Sequence, residues 1–95
     1  MAAGWFLYVI ECEDGSLYTG IAIDPVARFA LHASGKGARY TRSHPPKKLL
    51  AMLPFPDRSS ASKAEHRVKQ LTPAQKRRLA EDGYLEAASA LNVNA

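Results

Sequence analysis

The pattern of apolar and polar residues near the start of the chain predicts two β-strands. Residues 5–12 carry aromatic and β-branched side chains at both alternating positions, which is typical of a strand covered on both faces. Residues 17–23 are rich in Ile, Tyr and Thr, and Glu13, Asp14 and Gly15 form a turn signal between the two segments. The pattern therefore predicts an antiparallel hairpin.

The turn of this hairpin decides which side chains share a face of the sheet. A two-residue turn at Asp14 and Gly15 would place Tyr8 and Tyr18 on opposite faces. A three-residue turn with Gly15 in the left-handed conformation sets Tyr8 opposite Gly20 and brings both tyrosines onto one face. We predict the second register, because only that register lets the two phenols contribute to one site.

A helix is predicted to follow the hairpin. Asp24 suits the N-cap position, Pro25 the first helical position and Gly35 the end of the helix. Arg28 and His32 are four residues apart and share one face of this helix. They lie off the predicted buried stripe, which consists of Val26, Phe29, Ala30 and Ala33.

Proline and glycine divide the rest of the chain into further elements. Residues 35–46 are basic and rich in Gly and Pro, and are predicted to form a loop, whereas residues 48–55 form a third apolar strand. A second helix, capped by Asp57 or Ser59, is predicted to run to about residue 71. It buries a stripe that consists of Ala61, Ala64, Val68 and Leu71.

A capping box at residues 72–75 (Thr-Pro-Ala-Gln) predicts a third helix that reaches Gly83, and residues 84–91 are predicted as a last short helix. The predicted order is ββαβαα, without counting this last helix. It corresponds to an α/β (α+β) fold in which helices flank a small three-stranded antiparallel or mixed sheet.

The length of the chain predicts one domain. A chain of 95 residues is long enough to bury a modest core and too short for two typical domains. We expect this domain to span residues 1–95, with a core over about residues 5–83 and a C-terminal extension over residues 84–95.

Positive charge is concentrated in one segment. The net charge is only +4, but all thirteen Lys and Arg residues lie within residues 28–78, where Asp57 and Glu65 are the two acidic residues. The formal charge of this basic segment is therefore +11. Such asymmetry favours a polyanionic partner, above all nucleic acid, over a protein whose lysines are merely solvated.

Composition narrows the class of protein further. Hydrophobic residues make up 46% of the chain, too many for a disordered chain, and no apolar run approaches the roughly 20 residues that span a bilayer. The N-terminus lacks the basic region of a secretory signal. Cys12, the single cysteine, is expected to be a buried, inert thiol. These features favour a cytoplasmic protein with no membrane partner, and a monomer is the default expectation.

Residue types that act on phosphate esters occur within this framework. Hydrolysis of a phosphodiester needs a base for water, a cation at the developing charge and a stabilised leaving oxygen. Tyr18 could take a proton from water if nearby positive charge favours its phenolate, and Arg28 and His32 follow on the helix. Each has a structural alternative, since tyrosines are common sheet aromatics and the Arg28–His32 face could simply be solvated.

The basic segment adds a candidate metal ligand and candidate phosphate contacts. Glu65 offers a hard oxygen ligand for one Mg²⁺ or Mn²⁺ ion, or it could form a surface ion pair with Lys69 one turn away. Lys69 could also bind phosphate. In the predicted loop, cationic residues could bind backbone phosphate while Tyr40 stacks a base, or the loop could be solvated. The cationic residues concerned are Lys36, Arg39 and Arg42. His44 and His66 are expected to have no special role.

Together, these motifs resemble those of the GIY-YIG endonuclease superfamily, and most closely its small single-domain, YhbQ-like bacterial branch. Residues 6–8 (Phe-Leu-Tyr) stand where the family has GIY, and residues 18–20 (Tyr-Thr-Gly) where it has YIG. Arg28 and His32 follow at the family's spacing. Glu65 lies on the helix where the family has its metal-binding glutamate.

The chain departs from the family pattern at three places, one of which is Ile21 after Gly20, where some relatives carry a polar or lysine residue. The first motif keeps only its tyrosine, and residues 71–83 lack the asparagine that many members have after the glutamate helix. The resemblance nevertheless extends over nearly the whole chain, and five residue types recur in the family's order.

The resemblance implies a divalent-metal-dependent endonuclease that acts on DNA rather than RNA, in repair or processing. It implies in-line attack by water, with Tyr18 as the base, Arg28 as the charge stabiliser, Glu65 as the ligand of one Mg²⁺ or Mn²⁺ ion, His32 as a proton shuttle or phosphate donor, and Tyr8 as a phosphate-positioning group. All five side chains should then converge on one open surface that faces the basic loop. The alternative is a non-catalytic nucleic-acid-binding module that uses residues 28–78.

Overall fold

The structure, a computed structural model, describes residues 4–81, and over that range the elements follow the order ββααβαα. The strands are β1 (Trp5–Cys12), β2 (Leu17–Ala22) and β3 (Pro46–Phe55). The helices are α1 (Pro25–Ala33), α2 (Arg39–Ser43), α3 (Arg58–Lys69) and α4 (Pro73–Glu81). This confirms the predicted α+β architecture. The predicted helix over residues 84–91 lies outside the described residues.

The three strands form an antiparallel sheet in the order β2-β1-β3. The central strand β1 has apolar side chains on both faces, and Leu7, Tyr8, Val9 and Ile10 are all at most 1% exposed. The prediction of a strand covered on both faces is therefore confirmed. Along β3 the register with β1 shifts between Val9 and Ile10, which interrupts the ladder locally.

The hairpin adopts the register that places both tyrosines on one face. Tyr8 pairs with Gly20, and Ile10 pairs with Tyr18. Gly15 has a positive φ of 86°, which glycine adopts without a steric penalty. Across the turn, the Cys12 N–H donates to the Ser16 carbonyl at 2.8 Å. The three-residue turn is therefore confirmed.

Each face of the sheet carries its own core. Helices α3 and α4 cover the face of Leu7 and Val9, through the predicted stripe of α3 and Leu79 of α4. Helix α1 covers the face of Tyr8 and Ile10, where Phe29 packs. Cys12 belongs to this second core and is a buried free thiol, as expected. Within residues 4–81, no helix has the length and apolarity needed to cross a membrane.

The inward face of α1 differs from the prediction. Val26 is 63% exposed, whereas His32, predicted to lie off the buried stripe, is 2% exposed. Pro25, Phe29 and His32 form an alternative stripe at helical spacing, rotated from the predicted one. Alanines at positions 30 and 33 could not decide between the two orientations, because alanine is compatible with either environment. The predicted stripe is wrong for this physical reason.

The segment predicted as a loop contains the short helix α2. Its Thr41 side chain is buried, with Oγ1 2.7 Å from Nδ1 of His32 and 2.9 Å from the carbonyl oxygen of Ala38, so contact with α1 rather than an amphipathic pattern stabilises this turn of helix. The other helix starts agree with the sequence. Asp24 caps α1, Asp57 caps α3, and the predicted capping box before α4 forms both of its hydrogen bonds.

Helix α4 is fixed to the hairpin by Arg77. Its Nη1 donates to the Glu11 carboxylate at 2.9 Å, and its Nη2 donates to the carbonyl of Gly15 at 2.7 Å. The hydrogen bond from Arg77 lowers the pKa of Glu11 below its ordinary value. The turn that sets the tyrosine register is thereby anchored to the far end of the fold.

Candidate functional site

The side chains of Tyr8, Tyr18 and His32 meet on the face of the sheet that α1 covers. The ring centroids of Tyr18 and His32 lie 5.1 Å apart, and those of Tyr8 and Tyr18 lie 6.3 Å apart. Gly20 makes this possible, because a Cβ at that position would lie 2.6 Å from the Tyr8 hydroxyl oxygen. The hairpin register and one glycine therefore bring residues of β1, β2 and α1 together.

A buried chain of hydrogen bonds runs through the imidazole of His32. Its Nδ1 lies 2.7 Å from Thr41 Oγ1 and 3.2 Å from the backbone nitrogen of Ala38. Its Nε2 lies 3.0 Å from the Tyr8 hydroxyl oxygen. Because the Ala38 N–H can only donate, Nδ1 acts as an acceptor, and the neutral ring carries its proton on Nε2. The Nε2–H group then donates to Tyr8.

The backbone of Gly37 closes over this imidazole. A Cβ at Gly37 would overlap Nδ1 of His32 and would lie 2.8 Å from the Cα of His32. No side chain larger than hydrogen fits there unless α1 or the segment before α2 moves. We refer to Tyr8, His32, Ala38 and Thr41, together with Gly37 above them, as the histidine relay.

The protonation equilibria of the relay reflect its burial. Burial, and after it the positive charge of Arg28, lowers the pKa of His32 below its ordinary value of 6.5. Burial, with a further contribution from Tyr18, raises the pKa of Tyr8 to about 12. Arg28 opposes this increase and Glu65 adds to it, so both charged groups lie near the Tyr8 phenol. The structure thus brings the five predicted residues into one neighbourhood.

These five residues do not all line an open surface. Tyr8 is 1% exposed and His32 is 2% exposed, so the expectation of an open arrangement is wrong for these two. Tyr18 and Glu65 are partly buried, and Arg28 is exposed. Tyr8 and His32 therefore form a buried floor, whereas Tyr18, Arg28 and Glu65 retain surface that a ligand can contact.

Tyr40 and His44 extend the aromatic cluster towards the predicted phosphate-binding residues. Their rings stack with centroids 4.0 Å apart and an interplanar angle of 7°. The ring centroids of Tyr18 and Tyr40 lie 5.9 Å apart, with an interplanar angle of 24°. Nε2 of His44 lies 3.8 Å from the Asp14 carboxylate. One face of Tyr40 is therefore already covered by His44. The nearby cationic side chains are exposed, and they are Lys36, Arg39 and Arg42.

Glu65 forms the ion pair that the sequence offered as an alternative to metal binding. Lys69 Nζ lies 3.1 Å from Glu65 Oε2, and the Glu65 side chain is 22% exposed. Among residues 4–81 no three His, Cys, Asp or Glu side chains cluster as a metal site. A single carboxylate still fits Mg²⁺ or Mn²⁺, because these ions keep several waters and bind through one or two carboxylates plus substrate phosphate. The ion pair between Lys69 and Glu65 would then have to break when the metal binds.

Comparison with protein families agrees with this geometry. The profile of the GIY-YIG catalytic domain matches residues 4–78, a range that includes all the residues of the cluster. The chain belongs to the GIY-YIG family. Its nuclease domain implies a nucleic-acid substrate, and the residues that match the two tyrosine motifs are those that the hairpin register brings together.

Relatives of this GIY-YIG domain occur in several bacteria. The UPF0213 protein YhbQ of Escherichia coli is 47% identical over 91 residues, which cover 94% of this chain and 91% of that protein. A UPF0213 protein of Cupriavidus pinatubonensis is 51% identical over 72 residues, which cover 76% of this chain and 80% of the relative. The chain therefore lies within the YhbQ-like branch that its motifs indicate.

Solved structures of two relatives share the fold. The solution NMR structure of a UPF0213 protein from Bacillus halodurans is 40% identical, with a TM-score of 0.52, and the match covers 93% of this chain and 96% of that one. The solution NMR structure of a protein from E. faecalis is 37% identical, with a TM-score of 0.57 and coverage of 86% and 90%.

Sequence reasoning missed four residues of this neighbourhood. Gly37, Ala38 and Thr41 surround His32 but lie in the segment predicted as a loop, and His44, expected to have no special role, stacks on Tyr40. The spacing of Tyr40 and His44 at i and i+4 was the available signal for their contact. Contacts of the other three with His32 depend on tertiary structure.

Removal of the Thr41 hydroxyl is expected to destabilise the protein. In Thr41→Val, the single hydroxyl proton that His32 Nδ1 and the Ala38 carbonyl share as acceptors is lost, which should cost about 1–2 kcal/mol in the free energy of unfolding. Urea denaturation measures this cost. Thr19→Val is the matched control, because within residues 4–81 the buried Thr19 Oγ1 has no hydrogen-bond partner, so its loss should be neutral or stabilising. Equal losses of stability in the two variants would show that the Thr41 hydroxyl does not stabilise the histidine relay.

The stability of the fold is expected to fall in mildly acidic solution because of His32. Its pKa is lower in the folded protein than its ordinary value of 6.5, so the unfolded chain binds the proton more readily. Stability contributed by the neutral ring is full above about pH 6.5 and is lost as pH falls through the lower, folded pKa. Urea titrations between about pH 7.5 and pH 5 measure the loss. It should be smaller in His32→Gln and unchanged in His66→Gln, at an exposed histidine.

Proposed function

We propose that the protein is a divalent-metal-dependent endonuclease that hydrolyses phosphodiester bonds in DNA, in repair or processing. The observation that carries this proposal is the placement of Tyr18, Arg28 and Glu65 around the buried Tyr8–His32 pair in a GIY-YIG domain. A phenol, a guanidinium and a carboxylate above a rigid floor are the groups that phosphodiester hydrolysis needs.

In this mechanism water attacks the phosphorus in line with the leaving sugar oxygen. Tyr18, acting as the phenolate, takes the proton of the attacking water and becomes the neutral phenol, the bond from phosphorus to the leaving oxygen breaks, and that oxygen is protonated from solvent. Arg28 donates to the non-bridging oxygens, where negative charge increases in the transition state. The Arg28 side chain is exposed and can reach a phosphate at the surface.

The histidine relay acts as a positioning device in this scheme. The Nε2–H group of His32 donates to Tyr8, and the Tyr8 ring packs beside Tyr18. Because Tyr8 and His32 are buried, their contribution is to fix the Tyr18 ring rather than to contact phosphate. This positioning role replaces the roles that the family resemblance implied. Those roles were a proton shuttle or phosphate donor for His32 and a phosphate-positioning group for Tyr8.

Glu65 is the residue that would hold the metal ion. A bound Mg²⁺ or Mn²⁺ would supply Lewis-acid stabilisation of charge on the phosphate and the leaving oxygen. Lys69, released from Glu65, would be free to contact a phosphate oxygen beside it. The rest of this chain's contribution is binding, through the exposed cations around α2.

Substrate binding is assigned to the segment around α2. Lys36, Arg39 and Arg42 are exposed there and suit backbone phosphates, and the Tyr40–His44 stack offers an aromatic surface beside them. The second candidate function is a nucleic-acid-binding module without catalysis. The Glu65–Lys69 ion pair favours that alternative, because it occupies the carboxylate that the metal needs.

A cleavage panel tests the proposed function. The protein is incubated with labelled DNA and RNA in single-stranded, duplex, nicked and branched forms, with Mn²⁺, with Mg²⁺ and with a chelator. We expect cleavage of DNA that requires the metal, and binding that weakens steeply with salt. Binding without cleavage under every metal condition would instead support the non-catalytic module.

A further inference from the structure

A recess of about 750 Å³ lies on the outer side of α3, away from the tyrosine cluster. Neither the family motifs nor the proposed mechanism uses the residues that line it. We call it the α3 groove, and its lining consists of Arg58, Ser59, Ser62, Lys63, His66 and Arg67. Because the hydrophobic core does not need these side chains, the recess is available to bind a partner.

The charge of the α3 groove is of one sign. Arg58, Lys63 and Arg67 are cationic, and none of the residues within 4–81 that line it carries a carboxylate. The guanidinium of Arg58 lies 5.5 Å from the centroid of the Trp5 ring, a cation–π contact that restricts its direction. The two serine hydroxyls add hydrogen-bond donors. This combination fits a chain of phosphate groups better than any neutral ligand.

The groove is continuous with the candidate metal ligand. Along α3, Ser62 and His66 occupy the row next to the one that holds Glu65 and Lys69, because residues three and four apart are neighbours on a helix surface. The 12 residues of α3 extend over roughly 18 Å, enough for several phosphates of one strand. A strand with one phosphate at Glu65 can therefore continue into the groove without leaving the helix.

We propose that the α3 groove binds the phosphate backbone of the substrate on one side of the cleaved bond. This inference rests on the proposed nucleic-acid function and deepens it, since it makes α3 a binding element as well as the carrier of Glu65. It implies that the preferred substrate extends several nucleotides past the cleaved bond on that side. The segment around α2 then holds the other side.

Charge reversal at Lys63 tests this inference. The probe is a labelled DNA duplex of about 30 base pairs, bound in the presence of a chelator so that it is not cut, over a series of salt concentrations. In Lys63→Glu we expect about tenfold weaker binding at low salt and a salt dependence lower by about one phosphate contact. The matched control is Lys47→Glu, the same change at an exposed lysine of the edge strand β3, for which we expect less than a twofold effect.

A small substrate separates binding from chemistry. Hydrolysis of bis(p-nitrophenyl) phosphate, which is too short to reach the groove, should be equal in wild type and Lys63→Glu. Equal loss of DNA binding in Lys63→Glu and Lys47→Glu would overturn the groove while leaving the proposed function intact. Binding of polyglutamate with the same dependence on Lys63 would overturn the assignment to phosphate backbone. A wild-type protein that binds neither DNA nor RNA would overturn both proposals.

Discussion

Tyr18→Phe is expected to reduce the rate of DNA cleavage by about 10³-fold, while the fold and DNA binding are retained. The substitution removes one hydroxyl group and leaves the ring that packs against His32 and Tyr40. A positioned general base contributes about 10² to 10⁴ in rate, so its loss should appear in the turnover number rather than in substrate affinity. Single-turnover kinetics with saturating enzyme measure this effect directly.

Tyr40→Phe is the matched control for this experiment. It removes a hydroxyl from the neighbouring ring of the same cluster and keeps the stack with His44. We expect a change in cleavage rate of less than threefold, because Tyr40 is assigned to binding and not to proton transfer. If Tyr18→Phe and Tyr40→Phe behaved alike, Tyr18 would not be the base.

Gly37→Ala is expected to cause the largest loss of stability among single substitutions at the site. The new Cβ would overlap the His32 imidazole and would lie 2.8 Å from the His32 Cα, so a flexible side chain cannot simply move aside. We expect the free energy of unfolding to fall by about 3 kcal/mol, near the upper end for an overpacked interior. Urea denaturation measures the loss, and the cleavage rate should fall with it because the floor beneath Tyr18 is displaced.

Gly35→Ala separates this collision from a general effect of removing glycine. Gly35 has a positive φ of 81°, but a Cβ there would have no atom within 4 Å among the described residues. Its cost should therefore be about 1 kcal/mol, from backbone conformation alone. If both variants lost the same stability, the close approach of Gly37 to His32 would not be the cause of the loss in Gly37→Ala.

The sequence was most informative where local chemistry decides the structure. The hairpin of β1 and β2, the capping residues Asp24 and Asp57, and the register set by Gly15 all follow from short-range patterns, and the structure agrees with each. The register mattered most for function, because a shift by one residue would have separated Tyr8 from Tyr18. The positive φ of Gly15 therefore sets the register that brings Tyr8 and Tyr18 together in the site.

The prediction failed where the environment of a side chain depends on distant parts of the chain. His32 was predicted to lie off the buried stripe and on an open surface, but three hydrogen-bonding groups satisfy it in the interior. Helix α2 was missed because five residues have too few positions to show a period. Since α2 provides Thr41 to His32, both errors concern the same relay, and neither could be corrected from periodicity.

The hydrogen bonds of His32 also change how the family motifs are understood in this chain. The motifs predict that Tyr8 and His32 contact phosphate, but both groups are buried and hydrogen-bonded to each other. The accessible chemistry is therefore concentrated in Tyr18, Arg28 and Glu65. This distinction predicts that substitutions at Tyr8 and His32 act through stability and positioning.

The measurement that tests the central claim most directly is metal-dependent cleavage by Glu65→Ala beside wild type, with Glu81→Ala as a control at an exposed glutamate. Labelled DNA substrates are incubated with Mn²⁺, and binding is measured in parallel with a chelator present. We expect wild type and Glu81→Ala to cut DNA, and Glu65→Ala to bind DNA but to cut it no faster than a blank. Robust cleavage by Glu65→Ala would show that Glu65 does not hold the metal, which would then have no assigned ligand in the site.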